Sequence, residues 1–305
     1  MPKNRSMIEL NDIKSNTVIV IAGPTASGKS GLALELAMRY NGVVINADSM
    51  QIYKGTPIIS AVPTVEDRKK AEHLLYEIFE PEERGSVAEW LKLAIAAIRQ
   101  VWQQGKLPIV VGGTGFYLES LIKGISPIPE TKTEVKKQVA DLFLAVGQKG
   151  VYARLQKLDP EGALKVNPND MTRVRRALEI FTDTGKSIAQ WFEQPLIRML
   201  PEADFRIIPL LPQLKDLEGK CGDRFDLMMQ AGALQEVETL LKRKLDDDLP
   251  AMKAIGVPEL AAYLQGKCSL EEAVSLAKIH TRQYAKRQLT WFRNRLGKLP
   301  GIFID

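Results

Sequence analysis

Val18-Ile19-Val20-Ile21-Ala22, followed at once by Gly23-Pro24-Thr25-Ala26-Ser27-Gly28-Lys29-Ser30, decides the fold. The first five residues are a β-branched apolar run, the pattern of a buried strand. The next eight form a Gly-x-x-x-x-Gly-Lys-Ser turn, and Leu32, Leu34, Leu36 and Ala37 continue among good helix formers to Tyr40. Strand, glycine-rich turn and helix are the context a P-loop requires. The glycines let the backbone curl so that successive N–H groups point inward. That nest and the helix N-terminus bind a phosphate, and Lys29 adds a point charge. Ser30 offers a hydroxyl to Mg²⁺. Gly23 to Ser30 is therefore the expected diphosphate- or nucleotide-binding loop, with Ser30 the candidate metal ligand. The plainer reading, a chance glycine turn, has to account for both flanks.

Composition narrows the class. The 305 residues suffice for one large domain or two modest ones, and 45% hydrophobic with 26% charged content is ordinary for a globular chain. Cys221 and Cys268 make no metal-binding spacing and read as free thiols in a reducing cytoplasm. No apolar run spans a bilayer, and Met1 to Lys14 is too polar and mixed for a signal or transit peptide. A cytoplasmic protein without a membrane partner is expected, and a monomer. Net charge is +5, unevenly spread: Ala273 to Ile304 holds no acidic residue and seven Lys or Arg. That asymmetry points to a polyanionic partner.

Along the chain, Val43-Val44-Ile45 reads as a second strand ending at Asn46-Ala47-Asp48-Ser49-Met50-Gln51-Ile52-Tyr53. Ligands bind at the carboxyl ends of parallel strands, which puts Asp48 beside the phosphate site. A turn or N-cap Asp is the competing reading. Lys54 to Pro63 reads as a loop and His73 to Phe79 as a short strand. Ser86 with Glu89 is a capping box, and it opens a helix that ends near Gly105. Leu107 to Val111 is the next strand, followed by Gly112-Gly113-Thr114-Gly115, where a nucleotide hydrolase would place a strand-end aspartate. Small residues permit close backbone approach there, and Thr114 offers a hydroxyl; a tight strand–helix turn explains them equally well.

Gly124 to Thr133 breaks this rhythm, and only helical patterning follows, over 134–146, 151–158, 160–165 and 170–184, the last closed by Gly185. Arg173, Arg175 and Arg176 cluster there. Phe205 to Leu210 reads as a strand rejoining the sheet. Helices follow over 215–230, 234–244 and 259–265, with Asp246-Asp247-Asp248 a solvated loop. A Ser269/Glu272 capping box starts a long basic helix to about Asn294. The fold class is thus α/β: a P-loop NTPase-like parallel sheet core with a helical insertion and C-terminal helices. Its domains are a core first part over 1–125, a helical insertion over 126–200, and a core second part with the basic helix over 201–305.

Taken together, the motifs closely resemble those of the tRNA dimethylallyltransferases. The carrying stretches are Gly23–Ser30, Asn46–Gly55, Val111-Gly112-Gly113-Thr114-Gly115-Phe116-Tyr117, Asn167–Asp170 running into Arg173 and Arg176–Glu179, and Ala285–Arg293. They span nearly the whole chain in the right order. The resemblance implies transfer of a five-carbon group from dimethylallyl diphosphate to N6 of the adenosine just 3′ of the tRNA anticodon (A37), giving N6-dimethylallyladenosine. It implies Asp48 as the proton acceptor, and Lys29, Thr114, the loop amides and a Mg²⁺ near Ser30 as stabilisers of the leaving diphosphate. It places Asp48, Ser49, Met50 and Gln51 against the flipped-out base. The anticodon stem-loop would be held by Lys136, Thr172, Arg173, Val174, Arg175 and Arg176 of the insertion and by Lys286, Arg287, Gln288 and Arg293 of the basic helix.

The chain departs from the family pattern in places. Ile59-Ser60-Ala61-Val62 stands where Gly-Thr-Ala-Lys is usual, Leu214 where an Arg is expected, Lys136 where a basic contact is usually Arg, and Val257-Pro258 where a Tyr-Arg pair follows Gly256. Alignment puts the diphosphate-binding arginine at Lys220, which keeps the charge and loses the bidentate fork. Three other readings stay open on residues alone: a P-loop kinase of a small metabolite, dimethylallyl transfer to free AMP or ADP, and a decayed enzyme that only binds RNA.

Overall fold

The computed structural model describes residues 9, 10 and 12–304; most of the polar N-terminal stretch read from Met1 lies outside them. The apolar run is strand β1 (Thr17–Ala22), buried along its whole length, and α1 (Lys29–Arg39) buries Leu32, Ala33, Leu36 and Ala37. β2 (Gly42–Asn46), α2 (Pro57–Ser60), α3 (Val65–Lys70), β3 (His73–Leu74), α4 (Val87–Gln103), β4 (Leu107–Gly112) and α5 (Gly115–Lys123) follow. Then come α6 (Thr133–Leu158), α7 (Pro160–Ala163), α8 (Met171–Thr184) and α9 (Ile188–Phe192). The chain closes with β5 (Asp204–Pro209), α10 (Leu214–Gln230), α11 (Ala233–Leu241), α12 (Val257–Leu264), α13 (Leu270–Arg295) and β6 (Ile302–Phe303).

The strands form one parallel sheet in the order β3-β2-β4-β1-β5-β6. Register is what gathers the site. Ala22 at the end of β1 lies beside Gly112 at the end of β4, and Val111 lies beside Asn46 at the end of β2. The glycine-rich loop, the Gly-Gly-Thr turn and the Asp48 loop therefore leave the sheet side by side, at the carboxyl edge where α/β proteins bind ligands. α1 covers one face through Ile19, Ile21, Leu36, Val44 and Ile109. α4 brings Trp90, Leu91, Ala94, Ile95, Ile98 and Val101 to its buried side. The capping boxes at Ser86/Glu89 and Ser269/Glu272 both form, each Ser accepting the N3 amide. Such a cap contributes about 0.5–2 kcal/mol.

Two stretches differ from the reading by pattern. The strand expected from His73 to Phe79 stops at Leu74, because Leu75 and Glu77 take positive φ of 64° and 53°, which ends an extended ladder. Within the stretch expected as loop, Pro57–Ser60 is a turn of helix. Its first amides at Ile58 and Ile59 donate to the Glu236 carboxylate at 2.8 and 2.9 Å, a cap supplied by α11 that no local signal announces.

The chain divides into two units, one of residues 1–123 and 199–305 and one of 124–198. In the second, α6 is interrupted at Gly147, at φ 65° and ψ −174°, between the two segments read separately from sequence. Val139, Val151, Leu155, Val174, Ala177 and Leu178 form its core. Asp170 caps α8 through the Arg173 amide, and Gly185 closes it at φ 68°. The two ends of this unit meet: Ile125 and Ile197 exchange backbone hydrogen bonds of 3.2 and 2.9 Å. Both cysteines are free, Cys221 buried and Cys268 half-buried. No helix among the described residues is long and apolar enough to cross a membrane.

Candidate active site

The glycine-rich loop is shaped by Gly28, at φ 88°, which L side chains rarely adopt. The Ser27 hydroxyl is buried in the loop with no partner, and Lys29 Nζ donates to the Pro24 carbonyl at 2.6 Å. A buried unpaired hydroxyl costs about 1–3 kcal/mol. An oxyanion entering the loop would supply an acceptor for it. Burial lowers the Lys29 pKa to about 8, the Asp48 carboxylate acting against that shift and the Arg224 guanidinium with it. Ser30 is exposed at the first turn of α1. No group of three His, Cys, Asp or Glu among the described residues could hold a metal. The Ser30 hydroxyl, an oxygen donor, would be the protein's ligand to a divalent cation here.

Asp48 is fixed by its own loop. The buried Asn46 accepts the Asp48 amide at 2.8 Å and donates Nδ2 to the Asp48 and Leu75 carbonyls at 3.1 and 3.0 Å. Asp48 Oδ1 accepts the Met50 amide at 3.0 Å. Thr114 joins the two strand ends: its hydroxyl accepts the Ser49 amide at 2.9 Å and donates to Ser49 Oγ at 3.2 Å. Its amide donates to the Ala47 carbonyl at 3.3 Å. This approach requires Gly112, because a Cβ there would lie 2.0 Å from the Ala47 oxygen. The Asp48 charge is felt by three phenols. Burial pushes the hydroxyls of Tyr76, Tyr117 and Tyr284 far above the usual tyrosine range, and the Asp48 charge adds to it in each. They stay protonated donors at neutral pH.

Lys220 is exposed on α10, and Arg224, one turn on, is half-buried. Burial lowers its pKa, while the charges of Cys221 and Asp48 raise it. The signal was present in the sequence. Leu217, Cys221, Phe225 and Met228 form the buried stripe of α10, and Arg224 adjoins it, a cation at the edge of an apolar face.

The RNA-contact candidates separate by burial. Lys286, Arg287 and Arg293 are exposed on α13, and no carboxylate among the described residues pairs with them. Lys278 and Arg295, counted in the same basic run, are neutralised by Asp226 and Glu119 at 2.6 and 3.2 Å. Gln288 is on the opposite face, 6% exposed among Ala285, Leu289 and Phe292. In the other unit Thr172 and Arg173 are exposed, with Arg173 paired to Asp170 at 3.2 Å. Arg175 lies over the Phe143 ring, and Arg176 bonds Thr131. Val174 is fully buried in that unit's core, so its side chain is unavailable to RNA. Lys136 is exposed, 3.7 Å from Glu130. Ser49 is engaged by Thr114, and Met50 packs beside the cluster of Phe225 and Val257. Gln51 donates to the Ser60 and Ala61 carbonyls at 2.9 and 2.7 Å, which commits its amide to the end of α2.

A family model described as IPP transferase matches residues 51–295. The tRNA dimethylallyltransferase of Rickettsia massiliae is 43% identical over 286 residues, covering 94% of this chain and 79% of that protein. That of Rhodospirillum centenum is 46% identical over 281 residues, covering 92% and 89%. Among solved structures, the tRNA isopentenylpyrophosphate transferase of Bacillus halodurans superposes with a TM-score of 0.65 at 33% identity, covering 95% of this chain and 90% of that one. A eukaryotic dimethylallyltransferase acting on tRNA superposes with a TM-score of 0.79 at 34% identity, covering 91% and 70%.

Proposed function

The chain belongs to the IPP transferase family, and from that premise we propose how its own residues move a dimethylallyl group from dimethylallyl diphosphate to N6 of A37 in tRNA. The observation that carries the reading is the strand-end trio. The phosphate loop after β1 and Asp48 after β2 flank a β4 that ends in Gly112-Gly113-Thr114 with no carboxylate. A phosphoryl-transfer enzyme of this fold sets an acid there to hold its metal and align water. Here the loop meets a diphosphate that leaves whole.

In the reaction the N6–C1 bond forms as the C1–O bond to diphosphate breaks, and the diphosphate departs with the electron pair. The loop amides, Lys29 and Arg224 face the charge that builds on it, the kind of pre-aimed stabilisation worth most in transfer chemistry. Mg²⁺ held at Ser30 would supply further charge neutralisation when bound. Asp48 has one oxygen occupied by the Met50 amide, which leaves Oδ2 to accept the N6 hydrogen bond and then the proton. Thr114 keeps the Asp48 loop in place through Ser49, and its hydroxyl proton, turned from Ser49 Oγ, would donate to the leaving diphosphate. Lys286, Arg287 and Arg293 meet stem-loop phosphates, and Arg173, Arg175, Arg176, Thr172 and Lys136 serve the same RNA from the insertion. The free thiols fit a reducing cytoplasm, and one chain carries every group used, so a monomer suffices.

The test is incubation with dimethylallyl diphosphate, Mg²⁺ and an anticodon stem-loop bearing the target adenosine, followed by mass spectrometry of the nucleosides. N6-dimethylallyladenosine is the expected product. Parallel incubations with AMP, and with ATP plus small hydroxyl acceptors, complete the set. Prenylated AMP at a comparable rate, or phosphorylation of an acceptor, would replace the reading.

A further inference from the structure

We propose that Gln288 is a positioning residue for the diphosphate: one side-chain amide locks the phosphate loop to the Gly-Gly-Thr turn. Its Oε1 accepts the Thr25 amide at 2.8 Å, and its Nε2 donates to the Gly113 carbonyl at 2.8 Å. Thr25 and Gly113 belong to loops leaving neighbouring strands, and among the described residues this is the side chain that bonds the backbone of both. Space is reserved for it. A Cβ on Gly113 would lie 2.5 Å from Nε2, so glycine at that position is what lets the amide reach. The helix presents Gln288 on its buried face with Thr281, Ala285, Leu289 and Phe292, opposite the exposed Lys286 and Arg287.

Chemistry selects glutamine for the role. A carboxamide sets a donor and an acceptor side by side without charge. Both backbone groups it serves lie at the wall of the anion site, where a carboxylate would repel the diphosphate and an apolar group would leave both unpaired. The residue thus acts on the small substrate through the loop it holds, and the RNA contact expected for it from sequence falls to its exposed neighbours. This inference rests on the transferase reading for its substrate, while the bridge itself stands on the geometry.

The experiment compares wild type, Gln288→Leu and Gln288→Glu. For Gln288→Leu the KM for dimethylallyl diphosphate should rise roughly 5–30-fold, the effect of losing one or two hydrogen bonds. Stem-loop affinity and its salt dependence should stay at wild-type values. Gln288→Glu keeps the acceptor and loses the donor when ionised; protonated, it recovers both. Its KM relative to wild type should therefore fall toward one as pH is lowered, whereas that of Gln288→Leu should not. Taking the ratio to wild type at each pH cancels the pH dependence that Lys29 and Tyr284, together with the Asp48 charge, bring to both enzymes. If Gln288→Leu does not fold, the pH trend of Gln288→Glu decides alone. An unchanged KM with weakened stem-loop binding, or a Gln288→Glu defect indifferent to pH, overturns the proposal. Wild type that prenylates no RNA would sink the transferase reading instead. The bridge is then tested by calorimetric binding of inorganic pyrophosphate, which Gln288→Leu should weaken.

Discussion

Removing the charges of Lys286, Arg287 and Arg293 together should change how salt controls RNA binding. These three are exposed on α13 and free of carboxylates among the described residues, so each is ready to replace a counterion on a phosphate. A phosphate contact contributes about 0.7–0.9 to the slope of log affinity against log salt, so three alanines should flatten it by roughly 2–2.7. Over a fourfold change in salt that amounts to about a 20–40-fold difference in how far affinity falls. The structure also supplies the control. Lys278 and Arg295 lie on the same helix with their charges already met by Asp226 and Glu119. Alanine at both should alter the slope by less per residue, because a contact with RNA would first have to displace a carboxylate. The assay is fluorescence-anisotropy titration of a labelled anticodon stem-loop over a salt series. An unaltered slope in the triple variant, or equal effects per residue in the two sets, would mean that α13 meets water rather than RNA.

Asp48→Asn keeps the shape of the loop and removes the proton acceptor, so transfer should fall by about 10²–10⁴-fold with stem-loop binding unchanged; near-full turnover under single-turnover conditions would make Asp48 a turn residue only. Thr114→Ala takes away the acceptor of the Ser49 amide and a donor to the diphosphate, and should cost on the order of 10²–10³ in kcat; measuring kcat and KM separately distinguishes this from a binding defect. Gly112→Ala should destabilise the core by more than a surface substitution does, since its Cβ would lie 2.0 Å from the Ala47 oxygen. A melting temperature matching wild type would show that β2 and β4 separate easily.

Local signals carried the fold. A β-branched run, a glycine-rich turn and two Ser-x-x-Glu caps depend on residues within a few positions, and each formed where its pattern stood. What went unread depended on partners far along the chain. The helical turn at Pro57 takes its cap from Glu236, and the positive φ values at Leu75 and Glu77 break a run of good strand formers. The basic C-terminal run could be counted but not sorted, because Asp226 and Glu119, which neutralise two of its members, lie on other helices. Arg224 and Gln288 share a further lesson. Gln288 lies on the buried stripe of its helix and bonds two loops of the site, and Arg224 adjoins the buried stripe of α10, half-buried, where the Asp48 charge reaches it. The family resemblance points instead to Lys220, exposed one turn before Arg224, for the diphosphate and to Gln288 for the RNA. Stripe position, taken with polarity, separates such residues from their exposed neighbours.

The exchange of hydrogen bonds between Ile125 and Ile197 gives the insertion the geometry of a cassette. Its chain enters and leaves through one antiparallel pair, so excision would leave two ends already adjacent, and a short turn could close them with little loop entropy to overcome. Surface grafts of this kind can be exchanged among relatives without redesigning the sheet. A lineage could then lengthen, shorten or replace the helical module while the strand-end chemistry stayed as it was. In the laboratory the same junction offers a clean seam for swapping modules between homologues.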